Sequence, residues 1–211
     1  MRHKLFVLIL LAIVSAVAPA RTPIRQWFAA MPDSVMPLLT KNNRLDFMDF
    51  MDCQMAAVVT NRLEGKSEMK ALTDDYLCLE YTKSSHVEMK LLPVTDTTDV
   101  LCLVTTLKAA VEDSHVMFFG EGWVPLPVST YLQGPQIRDF GTAEPSDSVL
   151  QAYKKVDMCF KVYALSADEA TLICRLTALD YLDKAAAEEV RPYISCPEIT
   201  YSWVNGRFVR P

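Results

Sequence analysis

Histidine and glycine are scarce in this sequence, and their scarcity excludes several classes of enzyme. The 211 residues include 3 histidines and 6 glycines. The sequence has no glycine-rich loop of the kind that cradles phosphate groups, and no G-x-S-x-G motif of a serine hydrolase. His3 lies in the N-terminal segment, so a catalytic or metal-binding imidazole elsewhere must come from His86 or His115.

Basic residues are also few, and they do not cluster. The 21 lysines and arginines are outnumbered by 26 aspartates and glutamates, which gives a formal net charge of −5. A nucleic acid or an anionic membrane surface binds a basic face, so we expect neither as a partner. The sequence lacks low-complexity segments and internal repeats, and its abundant apolar residues predict a folded core.

The N-terminus has the pattern of a cleavable signal peptide. Residues 2–4 are basic, and the apolar run over residues 5–14 is shorter than the roughly 20 residues that span a bilayer. The small residues of Ala18-Pro19-Ala20 predict cleavage after Ala20, since a cut after Ala18 would leave proline directly behind it. The alternative, an uncleaved anchor, is disfavoured by the short apolar run. We therefore expect residues 1–20 to be a signal peptide, and the mature chain to be periplasmic or secreted with no integral membrane segment.

Residues 21–211 have the size of a single domain. The segment over residues 122–148 is rich in proline and glycine and is the weakest point of continuity in the chain. It is either a long surface loop or a boundary between two subdomains. We predict one α+β domain.

Six cysteines follow the predicted cleavage site, and their number is even, as in many disulfide-linked exported proteins. Most of them lie within apolar runs, and a chain of this length does not need bridges to hold a core. Buried free thiols, a single disulfide and a framework of three disulfides all remain open. The residues are Cys53, Cys78, Cys102, Cys159, Cys174 and Cys196.

The first half of the mature chain predicts helices followed by an antiparallel meander. We expect a short helix over residues 24–30 and a longer helix that Asn42 or Asn43 caps, with Arg44 on its polar face. The period then changes to two, with short polar turns between successive strands. The expected strands cover residues 67–73, 76–82, 86–93, 99–107 and 115–119. The expected apolar face of the longer helix comprises Leu45, Phe47, Met48, Met51 and Met55.

The second half predicts two hairpins with a short helix between them. Strands over residues 156–164 and 170–178 are expected to pair with Phe160 opposite Cys174 and Val162 opposite Leu172. This register places Cys159 and Cys174 on opposite faces and predicts that no disulfide links them.

A helix from about Lys184 to Arg191, capped by Asp183, follows the first hairpin. The Asn205-Gly206 pair then predicts a C-terminal hairpin that sets Trp203 against Phe208.

Several segments resemble a known family. They cover residues 31–34, 38–46, 72–77, 89–94 and 203–208, and together they resemble a domain-of-unknown-function family of exported proteins from Gram-negative gut and oral anaerobes (Bacteroides-type bacteria). The resemblance spans essentially the whole mature chain. It implies an envelope or secreted location and implies no activity, cofactor or site residue.

The candidate interaction surface is the turn that contains Trp123, Pro125, Leu126 and Pro127. Glycines on one side and prolines on the other predict an extended tip with an aromatic residue at its base, and loops on a rigid sheet are common recognition sites. The alternative is that Trp123 packs into the core and the prolines only bridge two sheets.

Candidate chemistry is weaker. A Cys–His nucleophilic pair would have to use His86 or His115, and a zinc site could combine His86 and Glu88 with His115. Neither set has diagnostic spacing, so we assign no catalytic, metal-binding or cofactor-binding residue.

The function that the sequence favours is a non-catalytic binding or interaction module with an envelope or extracellular protein or glycan as its partner. The first alternative is a hydrolase or metal-dependent enzyme that uses His86 or His115. The second is a subunit of an envelope assembly, joined through an edge strand or the methionine-rich helix.

The signal peptide leads to the first testable prediction. The exported protein should begin at Arg21, because Ala18 and Ala20 occupy the positions that signal peptidase reads. N-terminal sequencing or intact-mass measurement of the envelope and culture fractions checks this. An exported form that retains Met1 would contradict it.

Overall fold

The computed structural model describes residues 21–142 and 145–210. The predicted signal peptide lies outside these residues. The helices are α1 (Ile24–Ala30), α2 (Lys41–Asp52), α3 (Val128–Tyr131), α4 (Asp147–Tyr153) and α5 (Lys184–Val190). The strands are β1 (Val58–Thr60), β2 (Lys66–Leu72), β3 (Tyr76–Thr82), β4 (Ser85–Pro93), β5 (Asp99–Lys108), β6 (Glu112–Gly120), β7 (Val124–Leu126), β8 (Lys161–Leu165), β9 (Thr171–Leu176), β10 (Glu198–Val204) and β11 (Arg207–Val209).

The strands form two antiparallel sheets. In the first sheet, β1 to β7 pair in chain order, so the meander predicted for this region is confirmed. The second sheet has the order β11-β10-β9-β8. The α+β class, with N-terminal helices on an antiparallel sheet, is therefore confirmed. Within the described residues, no helix has the length and hydropathy needed to cross a membrane.

The first sheet is the middle layer of the molecule. One of its faces, with Leu79, Met89 and Leu103, packs against α1 and α2. The other face, with Cys102 and Phe118, packs against the second sheet. Strand β4 is therefore buried along most of its length on both faces, which explains its nearly continuous apolar sequence.

The N-terminal cap of α2 differs from the predicted one. Thr40, rather than Asn42 or Asn43, is the N-cap residue, and its hydroxyl accepts a 3.1 Å hydrogen bond from the Asn43 amide. The Asn43 side chain accepts in return from the Thr40 amide, which completes a capping box. Asparagine at the third helical position thus takes the part usually filled by glutamate or glutamine.

The apolar face of α2 was predicted correctly only at its centre. Phe47 and Met48 are buried, whereas Leu45 and Met55 are exposed. Arg44, expected on the polar face, is buried because its guanidinium donates to the backbone carbonyls of Leu39 and Met31 and pairs with Asp33. A buried arginine is tolerated where such acceptors surround it.

The C-terminal hairpin matches its prediction, with Trp203 opposite Phe208 across β10 and β11. Helix α5 begins where expected, and the Asp183 side chain accepts from the Ala186 amide. All six cysteines are free; Cys78, Cys102 and Cys174 are buried, whereas Cys53 and Cys196 are exposed.

The predicted register of the β8–β9 hairpin is wrong. Cys174 lies opposite Tyr163, not Phe160, and Leu172 lies opposite Leu165. The reason given above for excluding a Cys159–Cys174 disulfide therefore fails, although both thiols are free in the structure. Tyr163 and Leu165 are buried while Ala164 is exposed, so β8 turns the opposite face to the core from the one predicted.

Strand β8 has this orientation because side chains of the first sheet hold its free edge. The amides of Lys161 and Tyr163 donate to Asp113 Oδ1 and Ser114 Oγ, both on β6. An edge strand leaves such donors unpaired, and a buried unpaired donor is unfavourable. The first sheet therefore decides which amides of β8 face it, and with them the register.

Glu88 provides the third and most buried of these contacts. Its Oε2 atom accepts a 3.2 Å hydrogen bond from the Leu165 amide, and its Oε1 atom accepts a 2.7 Å bond from the Tyr76 hydroxyl. Glu88 is only 6% exposed. The carboxylate thus joins β3, β4 and β8, and it links the two sheets.

Replacement of Glu88 tests this link. The Glu88→Ala variant leaves the Leu165 amide and the Tyr76 hydroxyl without their acceptor, so the free energy of unfolding should fall by about 3 kcal/mol. Glu68→Ala, at a part-exposed position on β2 of the same sheet, should change it by less than about 0.5 kcal/mol. Urea denaturation measures both; equal effects for the two variants would show that Glu88 has no special structural role.

Candidate functional site

A cleft of about 350 Å³ opens beside the Trp123 turn. Three parts of the chain that are distant in sequence form its walls: α1 and the residues before it, the turn between β4 and β5, and the turn between β6 and β7. The lining residues are Thr22, Gln26, Trp27, Ala30, Thr97, Thr98, Asp99, Glu121, Gly122 and Trp123.

Two tryptophans form the floor of the cleft. Trp123 Nε1 donates a 3.0 Å hydrogen bond to the Trp27 carbonyl oxygen, and the two indole rings meet edge to face with centroids 6.1 Å apart. Trp123 has a φ of 63° and follows Gly122 at 70°. A bulky residue rarely occupies this left-handed region, and such strain persists where the surrounding contacts over-determine the backbone, often at functional sites.

The rim of the cleft is polar and acidic. Hydroxyl, amide and carboxylate groups line it, and none of its ten residues is lysine or arginine. Asp99 is paired with Arg21 at 2.7 Å, and burial raises the pKa of its carboxyl group above the usual value. Glu121 is exposed to solvent. The cleft therefore suits a neutral or positively charged ligand.

The residues of the predicted interaction surface occupy different environments. Trp123 is 6% exposed and lies in the core. This position agrees with the alternative stated above, in which Trp123 packs into the core, and not with an exposed tip. Pro125 and Pro127 are exposed, and Leu126 is partly buried. Val124, also exposed, adds to an apolar shoulder directly beside the cleft. The role of this surface in binding stays a prediction.

A second group of titratable side chains lies on β3 and β4, on the face that meets the second sheet. Cys78 Sγ is 3.8 Å from His86 Nε2, and His86 Nδ1 is 3.3 Å from Glu80 Oε1. Glu88 Oε1 lies 4.0 Å from the same Nε2 atom. The row contains a thiol, an imidazole and two carboxylates.

A β-bulge brings these groups together. Glu80 lies opposite His86, whereas Thr82 lies opposite Ser85, so Tyr81 is an extra residue in β3. Without the bulge, Glu80 would pair with Val87 instead of His86. Cys78 would then pair with a residue whose side chain in this structure lies on the opposite face of the sheet. Tyr81 is held on the helix side, where its hydroxyl accepts from the Leu38 amide.

The predicted zinc set does not come together. His86 and Glu88 share a face, as expected, but His115 pairs with Thr105, which pairs with Val87 on the opposite face. His115 is exposed to solvent. In residues 21–142 and 145–210, no group of three or more histidine, cysteine or acidic side chains is arranged to hold a metal ion.

The surroundings of His86 favour its charged form. Hydrogen bonding to Cys78, and then to Glu88, raises the pKa of His86 to about 10, against the opposing effect of burial. The pKa of Glu80 lies below its usual value, chiefly because Lys108 donates to it. The row therefore contains an imidazolium between carboxylates.

The comparisons with known proteins agree with the fold. A match to the family described as protein of unknown function DUF3256 covers residues 17–208. The chain belongs to the DUF3256 family. The resemblance to a family of unknown function inferred from the sequence segments is thereby confirmed, and membership of DUF3256 assigns no activity.

A solved structure has the same architecture as this DUF3256 chain. It is a domain of an uncharacterized protein from Porphyromonas gingivalis W83, with a TM-score of 0.78 and 27% sequence identity. The alignment covers 89% of this chain and 98% of the other. No curated protein matches the sequence.

The sequence interpretation found part of each candidate site. It singled out Trp123 but not Trp27, because nothing in the sequence links α1 to a turn about one hundred residues away. It considered a Cys–His pair but could not choose Cys78 as the thiol. The available signal was that Cys78 and Glu80 alternate along β3, and His86 and Glu88 along β4, on either side of a short turn. The extra residue at the bulge concealed which of them pair.

The charged state of His86 predicts how stability depends on pH. Because its pKa is higher in the folded than in the unfolded chain, its contribution is complete below the unfolded value of 6.5 and is lost as pH rises through about 10. The free energy of unfolding should therefore fall between about pH 6 and 8.5, below the range where thiols and phenols dominate.

The measurement is urea denaturation across that interval. His86→Gln should remove most of the pH dependence, whereas His115→Gln, at the exposed histidine on the opposite face, should leave it as in the wild type. An unchanged slope in His86→Gln would show that the imidazole is not held in its charged form.

Proposed function

We propose that this protein is exported and acts as a non-catalytic binding module that takes a polypeptide segment at the cleft beside Trp123. The signal-peptide pattern of residues 1–20 supports export. The observation that carries the binding role is the pre-formed cleft with its two-tryptophan floor. Ligand sites are usually such concave, largely pre-formed surfaces with a few placed polar groups.

The floor of the cleft is packed against neighbouring aromatic rings. The Trp123 indole packs against Phe119 as well as Trp27, with ring centroids 5.1 Å and 6.1 Å apart. A surface that is already ordered loses little conformational freedom on binding, so more of the contact energy remains as affinity. The strained backbone of Trp123 is explained if this geometry serves recognition.

The surroundings of the cleft favour a polypeptide over a sugar. Trp27 and Trp123 are only 8% and 6% exposed, so neither offers an open ring face on which a pyranose could stack. The apolar shoulder at Val124 and Pro125 suits side chains of an extended segment, and Glu121 on the rim suits a lysine or arginine. We therefore expect the bound segment to be neutral or basic.

Tryptophan fluorescence gives a direct test. In a Trp203→Phe background, only the two tryptophans of the cleft remain, since the sequence contains 3 in all. A library of extended peptides that spans negative to positive net charge should contain binders of neutral or positive charge that change this fluorescence. Ala30→Tyr places a ring in the cleft from the exposed end of α1, and should weaken binding by about tenfold or more, equivalent to about 1.4 kcal/mol.

The matched control is Ala109→Tyr, at an exposed alanine in the turn at the opposite end of β5. It adds the same side chain outside the cleft and should leave affinity unchanged. A glycan array run beside the peptides tests the other partner class. Binding to glycans alone, or peptide binding that Ala30→Tyr does not weaken, would contradict the proposal.

A further inference from the structure

The contact between Cys78 and His86 distinguishes this thiol from the other cysteines. Cys78 Sγ lies 3.8 Å from His86 Nε2, and in residues 21–142 and 145–210 no other thiol contacts an imidazole. Cys102 and Cys174 are fully buried among apolar side chains, while Cys53 and Cys196 are exposed. The cleft proposed for peptide binding does not include Cys78.

The contacts of His86 place a positive charge beside the thiol. Nδ1 lies 3.3 Å from Glu80 Oε1, so this nitrogen donates a hydrogen bond to the carboxylate. Nε2, which also carries a proton in the charged imidazole, faces Cys78 Sγ. Glu80 is itself held by Lys108 Nζ at 2.7 Å. A nucleophile, a cationic imidazole and a carboxylate that orients it are thus arranged in sequence.

We propose that Cys78 is a nucleophilic thiol activated by His86 and a site of covalent modification by small electrophiles. In the reaction, the Sγ–H proton passes to solvent, and the Sγ electron pair, stabilised by the His86 imidazolium, attacks the electrophile. With iodoacetamide, an S–C bond forms, the C–I bond breaks and iodide leaves. His86 keeps its proton throughout.

The other charged and titratable groups around the pair come from three strands. Glu88 lies 4.0 Å from Nε2; it favours the imidazolium and opposes a negative sulfur. Its charge is stabilised by hydrogen bonds that the Tyr76 hydroxyl and the Leu165 amide donate to it. Lys108 adds a positive charge beside Glu80, so the charged side chains of the row balance before the thiol ionises.

Access to the thiol is narrow but present. Cys78 is 9% exposed, whereas Cys102 and Cys174 are 0% exposed. The His86 side chain is 23% exposed, so a small reagent can approach along the imidazole. Restricted access lowers the alkylation rate by a similar factor in the wild type and in variants of similar side-chain size, so the ratio of their rates reports activation rather than burial.

The test is alkylation by iodoacetamide at about pH 7, followed for each cysteine by peptide mass spectrometry. An imidazolium beside a thiol favours the thiolate, which is the reactive form. Alkylation of Cys78 should therefore be about tenfold slower in His86→Gln than in the wild type. The exposed Cys53 should react at the same rate in both proteins and is the internal control.

Two further variants connect the rate to the proposed residues. His115→Gln, at the exposed histidine on the opposite face, should leave the Cys78 rate as in the wild type. Glu80→Gln keeps the shape of the orienting side chain but removes its charge, so it should also slow alkylation of Cys78, and it serves as the second test if His86→Gln does not fold. A Cys78 that reacts equally fast in the wild type and in the His86 and Glu80 variants, or that does not react at all in the wild type, would overturn the proposal.

Discussion

A carboxylate buried between two sheets is the constraint on which much of this structure depends. Glu88 accepts one hydrogen bond from the Tyr76 hydroxyl within the first sheet and one from the Leu165 amide of the second. Because a buried charge is unfavourable unless donors satisfy it, the second sheet is held where the Leu165 amide can reach Glu88. Lys90 reinforces the position, since its ammonium group donates to the Ala167 carbonyl just beyond β8.

The same constraint separates the two candidate sites. Glu88, Lys90 and Ser114, which contact the second sheet, share one face of the first sheet. The thiol, the imidazole and their carboxylates lie on that same face. The cleft belongs to the opposite layer, where α1 packs against the turn that carries Trp123. One sheet thus supports the proposed binding cleft with one part of its structure and the Cys78–His86 pair with another. The two proposals therefore rest on different residues.

Local sequence signals were reliable wherever one face of an element or one turn decided the structure. The Asn205-Gly206 turn, the Asp183 cap and the strands of the meander follow from backbone preferences and alternation within a few residues. Apart from the N-cap of α2, which is Thr40 rather than Asn42 or Asn43, the errors are at positions where a partner from elsewhere decides the outcome. Arg44 is buried because carbonyl groups at the end of α1 and before α2 accept hydrogen bonds from its guanidinium group. The register of β8 follows from acceptors on β4 and β6.

The sequence by itself determined the α+β class, the antiparallel meander and the C-terminal hairpin, because each depends on periodicity or turn chemistry within a short segment. Only the tertiary structure decided which face of β8 enters the core, that Trp27 completes the cleft, and that Cys78 meets His86. The last of these depends on one extra residue, Tyr81, in β3. A one-residue shift exchanges the faces of a strand, and the contacts that select the shift lie in other layers of the molecule.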